Sequence, residues 1–130
     1  MLPISGNNAS RIFNVASGAT VTLNYLALQN GLAKGSGSAA QGGAIFNQGN
    51  LTLNNMLIQN NLAQGSDGAA GGKNHFDGYA GQAAAGGAIW SNGTLTLGNG
   101  TILQINQAMG GQGGVGYFGL REDKRLPCWI

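Results

Sequence analysis

Residues 42–61 read GGAIFNQGNLTLNNMLIQNN, and residues 86–106 read GGAIWSNGTLTLGNGTILQIN. The two stretches are copies of one unit. An earlier copy runs through Ile12-Phe13-Asn14, Val21-Thr22-Leu23 and Leu26-Ala27-Leu28-Gln29-Asn30. Each copy holds three apolar segments of three to five residues, and an Ala follows four positions after the last Gln (Ala33, Ala63, Ala108). Segments this short, separated by Gly and Asn, are too brief for helices and suit strands. In Val21-Thr22-Leu23 and its copies the outer two side chains face one way and Thr the other. A unit of three short strands that returns to the same place in the next copy predicts an all-β right-handed parallel β-helix. It has about three coils, each hydrogen-bonded in parallel to the next at about 4.8 Å.

Stacked copies predict columns of equivalent side chains. Val21, Leu51 and Leu95 form one; Leu23, Leu53 and Leu97 a second; Leu28, Ile58 and Leu103 a third; Ile12, Ile45 and Ile89 a fourth. Phe13, Phe46 and Trp90 are expected to stack as aromatics, and Asn30 and Asn60 as an amide ladder that Ile105 ends. Thr20-Val21-Thr22, Asn50-Leu51-Thr52 and Thr94-Leu95-Thr96 would set outward hydroxyls in a grid. Ice-binding solenoids resemble this, but Thr is also an ordinary exposed strand residue.

The spacing locates the insertions. Thr22 and Thr52 are 30 positions apart, Thr52 and Thr96 are 44. The excess falls in residues 64–85, a flexible Gly/Ala-rich loop by composition. A shorter loop covers 35–41 and a third begins at 110, so all three leave one corner, after the third strand. Residues 1–110 are therefore read as the coils, and 111–130 as a Gly-rich loop with an aberrant charged tail. That tail, from Arg121, holds five of the ten charged residues and the single Cys128.

Composition narrows the function. Gly supplies 25 of 130 residues, well over twice the usual level of about 7%. Charged residues are 8% against an ordinary 42% hydrophobic, which argues against a disordered chain. A net charge of +2 from scattered Lys and Arg implies no nucleic-acid partner. No apolar run is long enough for a membrane span, and no signal peptide is visible. One Cys forms no internal disulfide and no zinc spacing.

The stretch ISGNNASRIFNVASGATVTLNYLALQN (residues 4–30), followed by GGAI, LTLNN and IQNN, resembles the pectin-lyase-like right-handed β-helix repeat proteins of bacterial surfaces. GGAI at Gly42 and Gly86 is also similar to the polymorphic outer-membrane protein repeat, which pairs it with Phe-x-x-Asn; here Ile58 stands in place of that Phe. The resemblance covers residues 4 to about 110. It implies the fold and an extracellular or bacterial cell-surface location, with the export signal outside this chain. It implies no particular activity, since this architecture carries lyases, hydrolases and adhesins alike.

A polysaccharide lyase or hydrolase needs clustered carboxylates. The chain has Asp67, Asp77, Glu122 and Asp123, none on an expected strand face. The insert does gather Lys73, His75, Phe76, Asp77 and Tyr79, which are the candidate ligand-contact residues. The expectation is a non-enzymatic structural or adhesive segment with no catalytic residues, cofactor or metal. Its partners would be a cell-surface glycan or host protein and further coils of a parent chain. The alternative is a fragment of a carbohydrate-active β-helix enzyme lacking its catalytic coils. With both coil ends open to edge pairing, the isolated chain is expected to aggregate or lose part of its order.

Overall fold

A computed structural model describes residues 1–73 and 76–116. It is all-β apart from a short 3₁₀ turn at Gly37–Ala40. An initial strand, β1 (Leu2–Ser5), precedes three sets of four strands. The first set is β2 (Phe13–Val15), β3 (Thr20–Asn24), β4 (Leu26–Gln29) and β5 (Leu32–Gly35). The second is β6 (Ile45–Asn47), β7 (Asn50–Asn54), β8 (Leu57–Gln59) and β9 (Leu62–Gly65), and the third β10 (Ile89–Ser91), β11 (Thr94–Leu97), β12 (Ile102–Gln104) and β13 (Gln107–Met109).

Every strand pairs in parallel with its counterpart in the neighbouring repeat, giving four sheets: β10-β6-β2, β11-β7-β3, β1-β4-β8-β12 and β13-β9-β5. The unit thus has four strands where the sequence reading expects three. The closing Ala is the inward residue of the fourth: Ala33, Ala63 and Ala108 are in register, and the first two are buried. A single small inward residue, with a Leu or Met beside it on the outward face, gives too little alternation to announce a strand.

Three of the four aliphatic columns are in register. Val21–Leu51–Leu95, Leu23–Leu53–Leu97 and Leu28–Ile58–Leu103 pair residue by residue. With Ile45, Val15, Met56, Ala44 and Ala88 their members make one continuous core, except Leu97 and Leu103, which are exposed at the end of the stack. The fourth column differs at its first member: Phe13, not Ile12, pairs with Ile45. A one-residue shift in a strand exchanges its faces. Here it buries Val15 and leaves Asn14 in solvent, whereas the expected register would have done the reverse.

Two corners of each repeat require left-handed backbone. Between the second and third strands it falls on Tyr25 (φ 57°), Asn55 (φ 51°) and Gly100 (φ 76°). Between the third and fourth it falls on Asn30 (φ 56°), Asn60 (φ 56°) and Ile105 (φ 55°). Asn tolerates this region, and a β-branched Ile is strained in it. Asn30 and Asn60 are therefore corner residues. The inward amide ladder lies one position later, on Asn61 and Asn106. Asn61 Oδ1 accepts the Gly31 N–H (2.7 Å) and its Nδ2 donates to the Leu28 carbonyl (3.2 Å). Asn106 repeats this one rung on, accepting from Asn61 N and Nδ2 (3.1 and 2.9 Å) and donating to the Ile58 carbonyl (2.9 Å). A second ladder, Gln29–Gln59–Gln104, runs along the third sheet (3.3 and 2.9 Å).

Candidate functional site

The insertions follow the fourth strand of each repeat, one strand later than the sequence reading places them. They share an origin: Gln41 and Ala85 form a parallel bridge just before the second and third sets.

The long insert is not a flexible loop where it is described. Segments 66–71, 79–82 and 111–115 bond to one another pairwise. Tyr79 N–H donates to Ala69 (2.9 Å) and Gln82 N–H to Ser66 (2.8 Å). Gly68 N–H donates to Gln112 (2.7 Å) and Gly71 N–H to Val115 (2.8 Å). Gly111 N–H donates to Gln82 (2.9 Å) and Gly114 N–H to Tyr79 (2.8 Å). Each segment touches both others, so the three make a bundle and not a sheet. The bonds recur every third residue, the period of polyproline II-type extended chains, which have no internal hydrogen bonds and must find partners in neighbours.

Glycine spacing explains why the bundle can close. Gly65 and Gly68, Gly78 and Gly81, Gly111 and Gly114 are each three apart. A Cβ on any of these six would run into a neighbouring segment's carbonyl oxygen: Gln82, Tyr79, Gly114, Gly111, Ser66 and Ala69 respectively. None of the six has left-handed φ, so glycine serves close approach here, as at the axis of a collagen helix. The Asp67 carboxylate accepts the Gln112 N–H (2.8 Å), fastening the third segment from outside.

This ridge carries the candidate ligand-contact residues. Lys73 and Asp77 are exposed, Phe76 is 64% and Tyr79 47% exposed, and His75 lies outside the described residues. Tyr79 is anchored by its own N–H and carbonyl within the bundle, so its ring stands on fixed backbone. The bundle itself is a feature the sequence reading missed. Its signal is there to be found: Gly at every third position across three separated segments.

The aromatic column is also rebuilt. Phe46 and Trp90 stack with centroids 4.7 Å apart and planes 8° from parallel. The first-repeat position above them is filled by Arg11 and not Phe13, with the guanidinium carbon 4.9 Å from the Phe46 centroid. Arg11 donates from Nε to Gly42 O (3.1 Å) and from Nη2 to Ser38 O (2.7 Å) and Gln41 O (2.8 Å). It thereby ties the first corner to the 3₁₀ turn and the GGAIF segment. Partial burial lowers its pKa below the ordinary arginine value.

The Thr20–Asn50–Thr94 and Thr22–Thr52–Thr96 rows are in register on the second sheet, as expected. Among the described residues no three His, Cys, Asp or Glu gather as a metal-binding group, and no helix is long and apolar enough to cross a membrane. The charged tail from Arg121 lies outside the described residues. No family model, curated protein or solved structure matches the chain.

Proposed function

We propose that the four parallel sheets are the walls of a right-handed parallel β-helix. We further propose that this chain is a non-catalytic structural or adhesive segment of a secreted or cell-surface bacterial protein, related to the pectin-lyase-like repeat proteins. The sheets would form a rigid spacer continued by further coils, and the glycine ridge would make the contacts. One observation carries the adhesive part: a hydrogen-bonded bundle, standing beside the sheets, presents Tyr79 to solvent, and the exposed Phe76 precedes it by three residues. An exposed ring on fixed backbone, as at Tyr79, suits the apolar face of a sugar or a protein surface, because little conformational entropy is lost on binding.

The test is a screen of the labelled chain against a glycan array and a panel of extracellular-matrix proteins. Wild type is compared with the double substitution Phe76→Ser/Tyr79→Ser. Saturable binding that the double variant loses, with its circular dichroism unchanged, is the expected result. Binding that survives the double substitution would move the contact elsewhere. Turnover of a polysaccharide in the same screen would replace the adhesive reading by the enzymatic one.

A further inference from the structure

Arg11, the cation held by three carbonyls, borders a hollow that the adhesive reading does not use. Its volume is about 250 Å³, and it is lined by Ala9, Arg11, Leu32, Ala33, Lys34 and Ala39. That is somewhat below the roughly 300–1,000 Å³ of sites for drug-sized ligands, so the occupant is small. The lining combines four apolar residues, of which Ala33 turns its methyl inward, with two cations and contains no carboxylate. Among the described residues the carboxylates are Asp67 and Asp77, both in the long insert.

Arg11 is unusually well fixed for a surface cation. Three carbonyls hold Nε and Nη2, and the Phe46 ring, backed by Trp90, lies against the guanidinium. A guanidinium has five N–H donors. The bonds to Gly42, Ser38 and Gln41 use Nε and Nη2, which leaves the Nη1 pair for a ligand. Lys34 stands on β5, exposed, and supplies a second, movable charge to the same hollow. A partly desolvated cation whose protein partners are neutral carbonyls gains more from an arriving anion than one already in an ion pair.

We propose that this hollow is an oxyanion site, taking a carboxylate carried on a small apolar body. Two carboxylate oxygens bridge Arg11 Nη1 and Lys34 Nζ, and the hydrocarbon part covers Ala9, Leu32 and Ala39. One oxygen meets the Nη1 donors that the carbonyls leave and the other the Lys34 ammonium, and the aliphatic lining selects against a fully hydrated ion. The site is separate from the ridge aromatics, so it stands or falls independently of the adhesive reading.

The experiment is a ¹H–¹⁵N titration of the full chain with butyrate, butyramide and inorganic phosphate at constant ionic strength. The Arg11 Nε–H signal and the Leu32 and Ala33 amides are the reporters. Butyrate is expected to shift them saturably, with a Kd of about 1–10 mM, as suits one small anion. Butyramide, the same shape without charge, is expected to shift none, and phosphate to act at least about threefold more weakly, because it offers the apolar lining nothing. Lys34→Gln, an exposed change that leaves the Arg11 clamp intact, is expected to weaken butyrate by about threefold to tenfold. Three results would overturn the proposal: no saturation by about 50 mM butyrate, equal shifts with butyramide, or indifference to Lys34→Gln. Loss of ridge binding in Phe76→Ser/Tyr79→Ser would leave all these signals unchanged.

Discussion

Leu53 and Leu97 occupy the same inward position in successive rungs of the second sheet, yet their surroundings differ. Leu53 has neighbours above and below and is 0% exposed; Leu97 has Leu53 on one side, and it is 51% exposed. Changing either to Ala deletes three carbon atoms, a transfer loss of about 2.4 kcal/mol at full burial, at roughly 0.8 kcal/mol per carbon. At Leu53 a closed void adds to this, and the whole cost is about 3–4 kcal/mol. At Leu97 about half the transfer loss applies and no closed void forms, so the cost is about 1–1.5 kcal/mol. Urea unfolding followed by circular dichroism measures both. With a slope of about 1.5 kcal/mol per M, the midpoint falls by about 2–2.7 M for Leu53→Ala and by about 0.7–1 M for Leu97→Ala. Equal losses would refute the reasoning that burial grows with the number of stacked rungs. They would mean that the end of the stack is covered in solution, and dilution of the sample would then reduce the cost of Leu97→Ala alone.

Three further substitutions, two of them paired with a control, probe the parts that the sequence reading placed wrongly. Gly68→Ala sets a methyl against the Tyr79 carbonyl and is expected to cost about 2 kcal/mol or more, whereas Gly72→Ala, with open space around it, costs under about 0.5 kcal/mol; proteolysis within residues 64–85 should accelerate in the first variant only. Asn61→Leu leaves the buried Gly31 N–H and Leu28 carbonyl without their amide and is expected to cost about 2–4 kcal/mol in urea unfolding, while Asn60→Gly, at the neighbouring left-handed corner, changes stability by a few tenths. Ile105→Asn relieves a β-branched residue at φ 55° that is 69% exposed, and should raise stability by about 1 kcal/mol in the same assay.

The repeat was legible because burial imposes it. A residue with a rung on either side has one acceptable chemistry, so Leu51, Leu53 and Ile58 recur as aliphatics in the third copy at Leu95, Leu97 and Leu103. Where the constraint is a backbone angle, the text is less clear. Asn30 and Asn60 look like a ladder because Asn repeats there, but they repeat because both corners need left-handed φ, and the amide that bonds inward is the next one. Two adjacent Asn residues in the second repeat, Asn60 and Asn61, serve the two demands separately. The third copy tells them apart: Ile105 keeps the strained corner without an amide, and Asn106 keeps the amide.

The candidate site was half legible for a related reason. Lys73, Phe76, Asp77 and Tyr79 stand out as the chemically varied part of a Gly/Ala tract, and the structure does leave them exposed. What composition hides is the order beneath them. A high glycine fraction reads as freedom when glycines are counted, and as close packing when their spacing is read. At Gly68, Gly81 and Gly114 a side chain would strike a neighbouring segment's carbonyl, so these positions are fixed by contact between segments. A tract whose glycines were shuffled to other positions would keep its composition and lose the bundle. Tyr79 would then lose the backbone bonds at its N–H and carbonyl that hold its ring in place, and the entropy saved on binding would go with them.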